Sequence, residues 1–581
     1  MKKLLLLPLA LLLPLACQTT GPMTKPAATP NPPSPSETTY VAPARLAPKQ
    51  DVPQRLAQLP RTTIDYDHAL LDDNERQVVA KLIDASKVID EIYWRQVDER
   101  NPVYRTKLSS QAQNSPLERD AYEYFLINKG RWDRLAQDEP FIEPFGKEGA
   151  KPEGAAFYPP DMSKEEFERW VAAHPDQKEA FEGLFTVIRR RGNDLEAIPY
   201  SRYYAAELDR AAASLRDAAA LTNNASLRDY LTKLAAAFMK DNYRESDIAW
   251  MDLNGPLEVV IGPYEVYEDS MFNYKAAFES FVTVVDKPES DKLAAYAQHL
   301  PDMERNLPEP AEYMNPNRGT DSPIRVVQEI YTAGDARRGV QTAAFNLPND
   351  EVVREQKGSK KVLLKNVMDA KFRQSGVPIA NRVLDPSLRD LLSFDAYFNH
   401  TLFHELSHGL GPGLIPDPAG SGQRVDSRIL LKNLYSTIEE CKADVVGLWN
   451  ILYARDHGLL NSFDERQLFA TYTGLMFRSM RFGIDEAHGR GTAVQWNWLR
   501  EHGAVTPAGN GTYNVDFTKY RDGVRTLATE LLTIEATGDL PRAQRLLDRY
   551  GVSTPEMQGV IAGLKDIPVD ITPVFPAAGE Q

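Results

Sequence analysis

Residues Phe398 to Gly413 read FNHTLFHELSHGLGPG. Helical periodicity runs through SFDAYFNHTLFHELSHGL, and Gly409, Gly411, Pro412 and Gly413 end it abruptly. An α-helix turns about 100° per residue, so His404 and His408, four apart, lie within roughly 40° of each other on one face. Both imidazoles can reach one ion. Glu405 cannot share the direction of His404, but it is placed against a water at the open position of that ion, where a carboxylate works as general base. His400 has no glutamate after it and reads as a helix-surface residue or a support behind the site. A surface helix that merely collects histidines is the competing reading, yet the whole chain holds only nine.

A hydrolytic zinc needs three protein ligands and one open position. About thirty residues on, YSTIEECKADVVGLWNILYARDHG forms a second strong helix, with Glu440 and Asp444 four apart on one face. Glu440 is free to turn toward the metal, while Asp444 can orient a ligand histidine from behind. Glu439 has two readings: a support in the site, or the partner of Ser436 in a capping box that starts the helix.

The 581 residues, 42% hydrophobic and 26% charged, are those of a folded protein long enough for several compact units. A formal charge of −15 leaves no basic stripe for a polyanion, so nucleic acid is not an expected partner. The opening MKKLLLLPLALLLPLAC joins two lysines, a short leucine run and Ala16 before Cys17, which reads as a secretory signal rather than a span. It is similar to bacterial lipoprotein signals, which implies lipidation at Cys17 and an envelope location, lipid-anchored to a bacterial membrane. Cys441 is then the one remaining thiol and no disulfide can form. Residues 18–59, rich in Pro, Ser and Thr, read as a tether.

Folded sequence is expected from about Thr62, with amphipathic helices through Trp250. Short strands are expected in LEVVIGPYEVYEDSMFNYKAAFESFVTVVD and in RRGVQTAAFNLPND, and helices again from about Asp385.

HELSH followed by EECKAD resembles the paired motifs of the dipeptidyl peptidase III family of zinc metallopeptidases, whose second motif reads Glu-Glu-Cys-Arg-Ala-Glu/Asp. Lys442 stands here for the arginine, and the first motif has five residues where most members have six. The resemblance implies one zinc per chain on His404, His408 and Glu440. It continues in IGPYEVYEDSMFNYKAAFESFV, where Tyr267 takes the place of a tyrosine at the scissile bond, and in DEAHGRG, where His488 takes that of an intermediate-stabilising histidine. In AAFNLPND it makes Asn346 and Asn349 the residues that hold a peptide's N-terminal end.

The implied fold is α+β and mainly helical, with two lobes about a wide cleft, one helical and zinc-bearing, the other with a small β-barrel core. The corresponding division is 1–17 signal, 18–59 tether, 60–285 with about 330–376 and 545–581 as the barrel lobe, and 286–329 with 377–544 as the zinc lobe. The implied reaction is release of N-terminal dipeptides from short peptides by a monomeric enzyme. Alternatives are a zinc endopeptidase or oligopeptidase, and an inactive peptide-binding lipoprotein.

Overall fold

The computed structural model describes residues 43, 45–310, 313–314, 324–418, 420 and 422–581. The leader, Cys17 and most of the expected tether lie outside them. The chain is packed before the expected boundary near residue 59. Leu46, Val52 and Leu59 are buried, and Gln111 bonds the backbone of Leu46 in both directions. Three well-placed apolar side chains dock a stretch whose overall composition reads as linker.

The first lobe is built on helix Asp73–Val97, started by a capping box between Asp72 and Glu75. Its apolar stripe, including Val78, Leu82, Ile89 and Ile92, is fully buried against a sheet of five strands. These are β1 (Leu257–Glu265), β2 (Ala277–Val285), β3 (Ile324–Gly334), β4 (Ala344–Leu347) and β5 (Lys360–Leu364). The order is β1-β2-β3-β5-β4, with β3 and β5 parallel and the other pairs antiparallel. The expected small barrel is a curled half-barrel. The Asn349 amide after β4 donates to the Tyr264 carbonyl of β1 at 3.1 Å, and Phe281 of β2 stacks on Phe345 of β4 at 4.5 Å, so the two edges approach. Strands β3 and β5 were not expected. Both are buried on two sides, which removes the polar alternation that marks a half-exposed strand.

That double burial makes the sheet a wall between two cores. Val362 and Leu364 pack in the first core and Leu363 in the second; Val327 and Val326 divide likewise. The second lobe is helical, with Phe394–Ser407 (the histidine helix), Tyr435–Asp456 (the glutamate helix), Glu465–Met480, Ala487–Glu501 and Phe517–Thr537. Leu546, Leu547, Tyr550, Met557, Leu564 and Ile567 also pack in this second core. The tail therefore rejoins the first core only near Ile571, later than the expected boundary of about 545, where strand Thr572–Val574 pairs with Arg61–Thr63.

Candidate functional site

Ser393 starts the histidine helix by accepting from the Ala396 amide, and the helix stays regular to its end at Ser407. Lys442 of the glutamate helix stops it: its ammonium donates to the carbonyls of Ser407 and Leu410, each at 3.1 Å. A buried cation thus meets the negative helix end. The two helices approach closely because Gly447 has no side chain. A Cβ there would lie 3.0 Å from the His404 nitrogen and 3.2 Å from the Phe403 carbonyl carbon. Gly491 does the same for helix Ala487–Glu501 against Cys441, which is buried, its thiol pushed up by desolvation.

Each histidine is fixed through Nδ1. His404 Nδ1 lies 2.8 Å from Asp444 and His408 Nδ1 lies 2.8 Å from Glu439. Of the two readings of Glu439, the capping box with Ser436 is absent: the helix begins at Tyr435 without a side-chain cap, and Glu439 is taken by His408 and by Lys442 at 3.0 Å. Asp444 also accepts from Gln495 at 2.9 Å, and its carbonyl faces His400 Nε2 at 3.2 Å. His400, its ring tilted against that of Tyr472 at 4.4 Å, is therefore a buried support. Burial alone would lower the His404 pKa, but the carboxylates of Asp444 and Glu440 lift it to about 10 in the metal-free protein. Burial opposes charge on Asp444 as well, and His404 holds it well below the ordinary carboxylate range.

Carboxylates accept, so Asp444 and Glu439 each hold a proton on Nδ1 and aim both Nε2 atoms at one point; a metal there would displace the second proton of His404 and meet two lone pairs. Those two Nε2 atoms are 3.1 Å apart, and Glu440 Oε2 lies 3.4 Å from one and 3.8 Å from the other. Glu440 Oε2 is buried with no hydrogen bond. Two imidazole nitrogens and a carboxylate oxygen converging in this way form a donor set for one cation. Ligands at 2.0–2.1 Å from a tetrahedral ion are about 3.3 Å from each other, close to these separations. The residues fit a metal. His488 Nε2 also reaches Glu440 Oε2, at 3.2 Å, so His404, Glu440 and His488 form a second overlapping cluster. His488 is 61% exposed, near the start of its helix, where Glu486 accepts from the amides of His488 and Gly489.

Glu405 points elsewhere, to Lys361 on β5, whose ammonium is 2.6 Å from its Oε2. Burial would raise the Glu405 pKa; Lys361 outweighs it and holds the group below its usual value. Beside Glu405, His404 and His488 opens a cavity of about 250 Å³ whose apolar wall includes Met368, Leu475 and Met476. On the sheet side, Asn346 stands opposite Lys361 in the β4–β5 pairing, so the two share a face. Asn349 is exposed, with its amide on Tyr264. Glu265, at the end of β1, was not anticipated; burial and the nearby Asp335 push its carboxyl up, against the smaller opposing effects of Asn349 and Arg338. Tyr267 is 70% exposed and makes no contact with the metal cluster among the described contacts.

A histidine helix and a carboxylate helix converging on a metal-fitting cluster, with a base alongside, make the arrangement of a metallopeptidase. Residues 161–425 match the profile of peptidase family M49. The solved dipeptidyl peptidase III of Caldithrix abyssi superposes with a TM-score of 0.84 at 49% identity, over 90% of this chain and 98% of that one. Dipeptidyl-peptidase III of Corallococcus sp. strain EGB gives 0.72 and 41%, over 92% and 98%. A plant relative, Nudix hydrolase 3 of Arabidopsis thaliana, is 37% identical over 573 residues, covering 90% of this chain and 74% of the plant protein. The chain belongs to peptidase family M49, the dipeptidyl peptidase III family, and is a metallopeptidase of that type.

Proposed function

We propose that this chain is a zinc-dependent peptidase that releases dipeptides from the free N-termini of short peptides. The observation that carries this reading is the convergence of His404 Nε2, His408 Nε2 and the unbonded Glu440 Oε2, with Glu405 beside them at the cavity. Two imidazoles and a carboxylate suit zinc. When bound there, zinc would acidify a water and polarise a peptide carbonyl. Glu405 takes the proton of the attacking water and returns it to the departing amine. His488, exposed at the edge of the cluster, donates to the carbonyl oxygen as negative charge develops on it.

The dipeptide register is supported by the sheet side. Asn346 shares a face with Lys361, which contacts Glu405, and Asn349 and Glu265 meet where the sheet edges approach. A carboxylate there can accept from a peptide α-ammonium. Tyr267 enters this reading only by closing over a bound peptide, from its exposed position on the turn after β1. The name of the plant relative belongs to that protein; the metal cluster and Glu405 described here are peptidase machinery.

The test is fluorophore release from an Arg-Arg amide, with and without an N-acetyl cap, by zinc-loaded wild type and Glu405→Ala. Cleavage confined to the uncapped substrate and lost in the variant is expected. Equal cleavage of both substrates would make the protein an endopeptidase, and a Glu405→Ala variant as fast as wild type would end the catalytic reading. As part of the same proposal, Cys17 anchors the protein to the bacterial envelope. Incorporation of labelled palmitate into wild type and not into Cys17→Ser would support this, and no incorporation into either would refute it.

A further inference from the structure

Strand β5 begins with two consecutive lysines, Lys360 and Lys361, although it lies inside the sheet between β3 and β4. Successive side chains of a strand point to opposite faces. Lys360 enters the first core, where its ammonium donates to the Trp250 carbonyl at 2.9 Å, pairs with Glu258 at 3.2 Å and sits 4.2 Å from the centre of the Trp250 ring. Lys361 has the parity of Leu363, which packs in the second core, and its ammonium meets Glu405 Oε2 at 2.6 Å. The lysine side chain is 20% exposed and the glutamate 22%, so water screens this contact only in part.

A glutamate side chain has several rotamers, and only those that aim an oxygen at the attacking water are productive. The Lys361 contact occupies Oε2 alone; Oε1 has no hydrogen bond among the described residues. We propose that Lys361 is a positioning residue for the general base. It clamps Glu405 by Oε2 and leaves Oε1 to take the proton of the water. Lys361 transfers nothing: the water O–H bond breaks, its proton goes to Oε1, its electron pair forms the bond to the peptide carbonyl carbon, and the carbonyl π pair moves onto the carbonyl oxygen. The lysine comes from the sheet and the glutamate from the histidine helix, so the base is aligned only where the two are docked. This inference rests on the reading of Glu405 as the base.

The test uses zinc-loaded Lys361→Met, Lys361→Arg, Glu405→Ala and the double variant Lys361→Met/Glu405→Ala, with kcat, KM and bound zinc measured for each. Methionine keeps most of the apolar stem and removes the charge. Expected for Lys361→Met is a kcat loss of about tenfold to a hundredfold, the range for a misplaced catalytic group, with KM and zinc content within about twofold of wild type. Lys361→Arg should recover a substantial part, because a guanidinium can also hold Oε2. The double variant should be no slower than Glu405→Ala, since a clamp has no effect once the base is gone. Wild-type kcat in Lys361→Met would overturn the proposal. So would a loss that adds fully to that of Glu405→Ala, or one that follows zinc loss and is not recovered by arginine. Full activity in Glu405→Ala would instead overturn the proposed function itself.

Discussion

Gly447→Ala tests how the site depends on the contact between its two helices. The new Cβ would stand 3.0, 3.2 and 3.3 Å from the His404 nitrogen, the Phe403 carbonyl carbon and the His404 Cα, all backbone atoms that cannot rotate away. Optimal carbon contacts are about 3.5–4.0 Å, so the helices must part by roughly 0.5 Å. Overpacking of this kind destabilises by about 1–3 kcal/mol, and the helix propensity of alanine over glycine offsets about 1 kcal/mol. The net loss of stability is then about 0–2 kcal/mol, which a folded protein survives. The site suffers more. Glu440 lies two turns before Gly447 on the same face, so separation lengthens the spacing between Glu440 and the histidine nitrogens. Displacing catalytic groups by 1 Å costs about a hundredfold, so 0.5 Å corresponds to about tenfold in kcat, with weaker zinc retention. The assay is kcat and zinc content after dialysis, beside urea unfolding. Gly559→Ala is the control: no atom lies within 4 Å of its Cβ, and alanine there should stabilise slightly and leave kcat alone. A Gly447→Ala enzyme with full zinc and kcat within twofold of wild type would refute the argument.

Other consequences concern the polar interior. Lys360→Met strands the buried Glu258 and should destabilise by about 3–5 kcal/mol in urea melts, the opposite profile to its neighbour Lys361. Burial and Asp350 push the Asp247 pKa up to about 7, so the folded protein binds a proton there that the unfolded chain has already released. Stability from this group is therefore present below its unfolded pKa near 4 and falls as pH rises toward 7; Asp247→Asn should flatten that part of a pH series of unfolding midpoints. Asp444→Asn leaves the Gln495 amide facing a new donor and weakens the hold on His404 Nδ1. Zinc affinity above pH 10, where proton competition at His404 is gone, should drop about tenfold to a hundredfold by competition with a chelator.

The convergence of His404 and His408 was legible because its geometry is local: four residues of separation place them on one face whatever else the chain does. Glu440 and Asp444 were legible for the same reason. Glu439 kept two readings in the sequence, since Ser436 offers a local cap and only the folded structure brings His408 near it. Strands β3 and β5 were hidden by burial on both faces, and with them the role of Lys361. Its parity could be read from adjacent lysines, but the partner lies 44 residues away on another element. Glu265 escaped because its burial beside Asp335 is a property of the fold. The tether was overextended because composition averages over Leu46 and Val52, whose docking decides the boundary.

The most direct test of the central claim is a mass-spectrometric time course of an unblocked hexapeptide with zinc-loaded protein, run beside chelator-treated protein and the N-acetylated peptide. The account predicts that an N-terminal dipeptide and the complementary tetrapeptide appear first, only from the unblocked peptide, and that readded zinc restores them after chelation. Internal cleavage independent of the amino terminus, or dipeptide release that persists without metal, would contradict it.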